Sequence, residues 1–223
     1  MRKRFLMLFF VLVAPACHAI EPYGCRNGFF PAAAGTIREA IVQGGPDGHS
    51  IFRSDAKGCP DDDACLREPV QRGVHLLVSM QKDSWSCAWL SGRHEETVGW
   101  LPSAEVAVLE PREVRTRDWI GRWEPIAGGG DRIDIATSPT RMGLRLRGKA
   151  NWVGGIDGFG ERVVHFGRFT SEGSPVADIL ELSDGECVVR MQWVARSLVV
   201  ADNAACGGVN VRFDGVYRLR SSR

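Results

Sequence analysis

"SWSCAWLSGRHEETVGWLPSAEVAVL", residues 84–109, decides the fold class. Trp85, Cys87 and Trp89 alternate with other residues, so an extended strand gathers them on one face, which a helix would not do. "SGRHEET" then supplies a turn, and "VGWLP" begins another short strand. Aromatic residues on one face of an alternating strand are core residues more often than ligand platforms, because a small barrel fills its interior with side chains. Trp85 and Trp89 are therefore expected inside, beside an oxidised Cys87. Trp100 differs. It follows Gly99 at a turn, where binding residues gather, and is the candidate for an exposed ligand-binding ring.

Upstream, "VHLLVSM" (74–80) is a β-branched apolar run and "GHSIFRS" (48–54) supplies an earlier strand. The stretch 70–109 resembles the second half of a bacterial SH3-like domain, through Trp85, Gly99, Trp100 and Leu101. The resemblance implies a small barrel over residues 20–112 and a module contacting peptidoglycan or a peptide or protein partner. The chain departs from that pattern at "KGCPDDDACLREP" (57–69), which reads as an insertion, and over residues 20–47, which have no counterpart.

Residues 109–118 are polar and carry Pro111, as a linker does. Beyond them come "GRWEPI", "DRIDIAT", "MGLRLRGKANW", "RVVHFGRF", "VADILELS", "ECVVRMQWV", "SLVVAD" and "VNVRFDGVYRLR", separated by Gly-, Asp- and Ser-rich turns. The expectation for residues 113–223 is an eight-stranded antiparallel barrel, which removes exposed edges, with a sandwich as the alternative. Gly121 and Trp123 resemble the opening of a calycin-type, lipocalin-like barrel, which implies that Trp123 packs against one barrel end. The closing stretch 198–220 is similar to the end of small uncharacterised secreted bacterial proteins. Tyr217, in the last strand, is expected to bury its ring and hydrogen-bond its hydroxyl.

The N-terminus points to export. Arg2, Lys3 and Arg4 precede an apolar run from Phe5 to Val13 and small residues up to Ala19, which is a signal-peptide pattern over residues 1–19. Lipidation at Cys17 is the minor alternative, although Pro15 makes a poor lipobox. The protein is thus expected in the periplasm or secreted, with no transmembrane segment in the mature chain. Six cysteines remain after the leader, and an even number in an exported chain reads as a disulfide framework. Four lie before residue 90 and two after 180, so the expected pairs are Cys25–Cys87, Cys59–Cys65 and Cys187–Cys206. "CPDDDAC" lacks the spaced ligands of a calcium loop and reads as a stapled, solvated turn. No Cys-x-x-Cys pair occurs, and His49, His75, His94 and His165 lack ligand spacing, so neither metal nor cofactor is expected.

The charge is close to neutral, which removes any general electrostatic case for nucleic acid. One local pattern stands out: Arg145, Arg147 and Lys149 alternate with Leu144 and Leu146, after Arg141, and present positive charge on one strand face. That stripe is a candidate for an anionic ligand or acidic partner, against the plainer reading of a solvated strand face. There is no Gly-x-Ser-x-Gly elbow, no His-Glu-x-x-His and no histidine after Cys187 or Cys206. The expectation is a non-enzymatic binding protein of the cell envelope, contacting peptidoglycan or an envelope protein. A periplasmic inhibitor or immunity protein is the second reading, and a carboxylate-based hydrolase the third.

Overall fold

The computed structural model describes residues 24–26, 30, 37–92, 96–140 and 143–220; the leader, Cys17, His94 and Arg141 lie outside them. The all-β expectation is borne out. Strands β1 (Arg38–Val42), β2 (His49–Arg53), β3 (Leu66–Gln71), β4 (His75–Lys82), β5 (Trp85–Ser91), β6 (Glu96–Pro102) and β7 (Val106–Val108) form one sheet in the order β3-β2-β6-β5-β4-β1-β7. The Trp-rich stretch supplies its middle. β5 and β6 pair without interruption from Trp85↔Pro102 to Ser91↔Glu96. Gly99 is needed there, because a Cβ would lie 2.7 Å from the Arg53 carbonyl oxygen and block the approach of β2. β1 and β3 fall where no strand was expected. Pro69 sits in β3 without cost to the ladder, because β3 is an edge strand.

A short helix, α1 (Thr116–Trp119), leads into the second sheet. Its strands are β8 (Gly121–Pro125), β9 (Arg132–Thr137), β10 (Leu144–Ile156), β11 (Arg162–Gly173), β12 (Ile179–Asp184), β13 (Cys187–Val194), β14 (Ser197–Asp202) and β15 (Gly215–Leu219). They run β11-β10-β9-β8-β15-β14-β13-β12, a nearly closed eight-stranded antiparallel barrel rather than a sandwich. Side chains stitch the seam between β11 and β12: the Thr170 N–H donates to Asp184 Oδ2 at 2.8 Å and Ser171 Oγ to the Ser183 carbonyl at 2.9 Å. Trp119, Trp123, Phe169, Phe213 and Tyr217 fill the barrel core. Trp123 Nε1 donates to the Trp119 carbonyl at 2.8 Å, and the Tyr217 hydroxyl to the Phe213 carbonyl at 2.9 Å.

All three expected disulfides are present: Cys25–Cys87, Cys59–Cys65 and Cys187–Cys206. The two sheets are also fused. Phe30, Ile37, Trp89, Val98 and Trp100 of the first share one buried apolar cluster with Val194, Val199 and Val216 of the barrel's outer surface. Across this junction the buried Gln192 side chain grips the backbone of Ile37. Its Oε1 accepts from Ile37 N–H at 2.8 Å and its Nε2 donates to the Ile37 carbonyl at 2.9 Å and to Asp178 Oδ2 at 2.8 Å.

Candidate binding surface

Trp100 does not present its ring. It is only 3% exposed, packs in the cluster between the sheets and donates Nε1–H to Asp55 Oδ1 at 3.0 Å. The expectation of an exposed binding ring is corrected: the barrel covers the face on which Trp100 stands. Trp89 is buried in the same cluster, with Nε1 donating to Glu96 Oε2 at 2.8 Å. Trp85 is half-buried and donates to Asp61 Oδ1 at 2.9 Å, under the Arg53 guanidinium. Asp62 Oδ1 accepts from the Ala64 N–H at 2.8 Å and Asp63 pairs with Arg53 at 3.8 Å, so each of the three consecutive aspartates has a partner in a stapled turn.

The basic stripe leads to a different surface. β9 pairs with β10 only from Leu144 to Lys149, whereas β10 and β11 continue together to Ile156 and Arg162. The two longest strands therefore run past β9 as a two-stranded arm. Strand alternation sorts its faces. Leu144, Leu146, Gly148 and Phe169 turn into the barrel, while Arg147 and Lys149 are exposed with Thr170 and Arg168 opposite them. The same outer face continues toward the tip as Val153 opposite Val164, with Phe166 opposite Asn151. Phe166 is 66% exposed, and the turn beyond carries Ile156 at 70% and Phe159 at 95%. Arg145 leaves the stripe: it pairs with Glu172 at 4.0 Å. Hydrogen bonds from the Ser138 and Thr140 hydroxyls hold the Glu172 carboxyl below its ordinary pKa. Arg147, Lys149 and Arg168 make no ion pair among the described residues. The structure thus brings Arg147 and Lys149 together with Arg168 and with an apolar patch that the sequence reading missed. The signal was present in "RVVHFGRF", whose alternation puts Val164 and Phe166 on the side of Arg162 and Arg168.

The arm is held at its tip and root. Asp157 Oδ1 accepts from the N–H groups of Phe159 and Glu161 at 2.8 and 3.0 Å, fixing the turn. On the inner side the Trp152 and His165 rings lie 5.4 Å apart, and His165 Nδ1 donates to the Val209 carbonyl at 2.6 Å. The β14–β15 loop bridges to β11 at Gly167↔Gly207.

A second cluster tests the hydrolase reading. Asp131 and Asp214 line a cavity of about 130 Å³ with Glu96 and Trp89. Burial raises both carboxyls above the ordinary range, Asp214 to about 6. Both are committed to structure. Asp131 Oδ1 accepts from the Asn151 N–H at 2.9 Å, and Asp214 Oδ1 from the Asp202 N–H at 2.6 Å, while Asp214 Oδ2 meets Arg212. Asp202, fully buried, takes Arg212 Nε at 2.9 Å and the Ala204 N–H at 2.6 Å. The cavity is also below the roughly 300 Å³ at which small-molecule pockets begin. Asp202 and Asp214 fasten the β14–β15 loop, and Asp131 ties the β8–β9 connection to β10.

Fold and surface together define a disulfide-stapled, all-β protein of two fused sheets that carries a projecting basic and apolar β arm. Comparisons with protein families, curated proteins and solved structures find no match for this chain.

Proposed function

We propose that the chain is an exported, non-enzymatic binding protein of the bacterial cell envelope, and that the outer face of the β10–β11 arm docks on a protein partner. The carrying observation is the contiguous exposure of Val153, Val164, Phe166, Ile156 and Phe159 beside Arg147, Lys149 and Arg168. An apolar patch rimmed by polar groups marks an interaction site. Phenyl and aliphatic side chains gain by burial against other apolar groups, which a protein partner's groove offers. Three intramolecular disulfides fit an oxidising compartment, and no helix among the described residues is long and apolar enough to cross a membrane. The expected contact with peptidoglycan through the SH3-like half loses its support with the burial of Trp100. The inhibitor reading is favoured by the capped turn, because an arm ordered in advance loses little entropy when a cleft closes on it.

A photo-crosslinking residue placed at Phe166, and in parallel at exposed Arg72 on the other sheet, tests the reading in oxidised protein in its native envelope. A discrete protein adduct from position 166 and none from 72 is expected. Co-sedimentation with purified peptidoglycan runs alongside. Pelleting that persists in Phe166→Ser, without an arm-specific adduct, overturns the proposal.

A further inference from the structure

The outer face of the arm carries a charge arrangement that the fold leaves unbalanced. Lys149 stands directly opposite Arg168 on the neighbouring strand. The Arg168 N–H donates to the Cys206 carbonyl, away from β10, so the two residues form a non-hydrogen-bonded pair, the kind whose side chains stand closest. Like charges so placed oppose the pairing of their strands. Arg147, opposite Thr170, lies diagonally beside Arg168 and adds a third positive charge. The acids of the neighbouring strands give no relief, because arginines already take them. Asp134 meets Arg122 at 2.7 Å, Glu124 meets Arg220 at 2.9 Å and Glu172 meets Arg145 at 4.0 Å. Beside the opposed cations the surface sinks into an open depression of about 320 Å³, lined by Lys149, Arg168, Asn151 and Phe166 together with two glycines and an alanine. That is within the range of ligand pockets, which begin at roughly 300 Å³. No carboxylate lines it among the described residues. Asp131 holds the Asn151 backbone N–H, but the half-buried Asn151 carboxamide makes no hydrogen bond among the described residues.

We infer that the arm's protein partner presents an extended acidic and apolar segment, its carboxylate seated between Lys149 and Arg168 and its following apolar side chains packed on Phe166 and on the Val153–Val164 pair. The inference rests on the reading of the arm as a docking surface and names what that surface selects. An anion between the opposed cations turns their repulsion into attraction, and the free Asn151 amide supplies a further donor to it. A local rule broken without compensation inside the chain is the mark of a functional site. Spacing sets the rest of the motif. The cation row, the Asn151–Phe166 row and the Val153–Val164 row follow one another on one face, two residues or about 7 Å apart. A segment laid along the arm therefore meets them with an acidic residue and with apolar residues two and four positions away. Charge alone would suit inorganic phosphate equally, but phosphate has no apolar body to bury on Phe166, which is 66% exposed.

The test is heteronuclear NMR titration of the full oxidised protein with the peptide acetyl-Ser-Glu-Ser-Phe-Ser-Val-Ser-amide, with its reverse-order form, and with versions of both bearing Gln for Glu. A Glu peptide should shift the amide signals of Lys149, Asn151, Phe166 and Arg168 saturably. It should bind about threefold or more tighter than its Gln version, by a margin that shrinks as salt is raised. Lys149→Gln/Arg168→Gln should abolish the margin while the melting temperature holds or rises, because a like-charge pair is removed. The Glu-against-Gln comparison needs no variant, so misfolding of the double variant leaves the test intact. Equal binding of Glu and Gln peptides, or a margin that survives in the folded variant, overturns the acidic selection and leaves docking by the arm standing. Absence of shifts with all four peptides, or inorganic phosphate shifting the same signals at equal concentration, overturns it too. Signal loss at Phe166 with phosphatidylglycerol vesicles and none with the peptides assigns the arm to a membrane and overturns both readings.

Discussion

Gln192→Leu should loosen the junction between the sheets. In the wild type the buried amide completes three hydrogen bonds, two of them to the backbone N–H and C=O of Ile37, which is 155 residues away in sequence. Leucine matches glutamine in volume but offers no partner, so the Ile37 N–H and C=O stay buried and unsatisfied. Each such group costs about 1–3 kcal/mol, while the added apolar contact returns about 1 kcal/mol. The net loss is about 1–5 kcal/mol. With a guanidinium m-value of about 4 kcal/mol/M, the unfolding midpoint should fall by about 0.3–1.2 M. Tryptophan fluorescence reports the shared cluster through Trp89 and Trp100 together with the barrel core through Trp119, Trp123 and Trp193, and far-UV circular dichroism reports both sheets. Coincident transitions are expected in the wild type, because one core cannot melt from one side alone. A loss below about 1 kcal/mol in Gln192→Leu would refute the reasoning, since it would mean that water or a shifted chain satisfies Ile37.

Burial raises the Asp214 carboxyl to about 6 from an ordinary 3.8, so between those values the folded state binds more protons than the unfolded one. Stability therefore falls as pH rises through that window and levels off above it. Asp214→Asn removes this titration, and the stability of wild type relative to variant should decline by about 1–3 kcal/mol between about pH 4 and 6; a flat or rising difference in melts across that range contradicts the assignment. Removing the disulfides one at a time by paired Cys→Ser should rank with the loops they close, separations 62, 19 and 6. The expected losses are about 4, 3 and 2 kcal/mol by chain entropy, measured by denaturation under oxidising conditions. At Gly148 a Cβ would lie 2.1 Å from Phe169 Cε1, and Phe169 is wedged edge-on against Phe213. Gly148→Ala should thus lose about 1–3 kcal/mol, while Gly155→Ala, which meets open space, should leave the melting temperature within a degree or so.

Local signals carried most of the fold into the sequence. Period-two alternation and Gly-, Asp- or Ser-bearing turns marked most of the eight barrel strands, and those rules act over a few residues. What escaped was burial imposed from a distance. The first sheet is covered on both faces: Ala88 and Leu101 belong to its own core, while Cys87, Trp89 and Trp100 face the barrel. Alternation tells the two faces apart but not what covers each, so Trp100 read as open. The trace of the junction lay on the other partner. Met191–Val194 and Leu198–Val200 are buried without alternation, the mark of strands covered on both sides. The stripe at Arg147 and Lys149 was legible, because two neighbouring positions on one strand define a face. The arm was not, because its length depends on where β9 stops.

That the arm stands clear of the barrel follows from how its root is braced. A Cβ on Gly167 would lie 2.7 Å from the Cys206 carbonyl oxygen, and one on Gly207 would lie 2.6 Å from Gly167 Cα. Paired glycines let the β14–β15 loop press against β11 and add backbone bonds there, from Arg168 N–H to the Cys206 carbonyl at 3.2 Å and from Gly208 N–H to the Phe166 carbonyl at 3.2 Å. The loop is itself fixed by Cys187–Cys206 and by Asp202, Arg212 and Asp214. The disulfide and the buried carboxylates thereby hold in place the strand that presents Phe166. Folding supplies the order of the contact surface, so binding need not supply it, and the exposed phenyl and valyl groups stay available to a partner instead of collapsing onto the barrel rim. In this chain the charged cluster that looks most like an active site serves the surface that looks least like one.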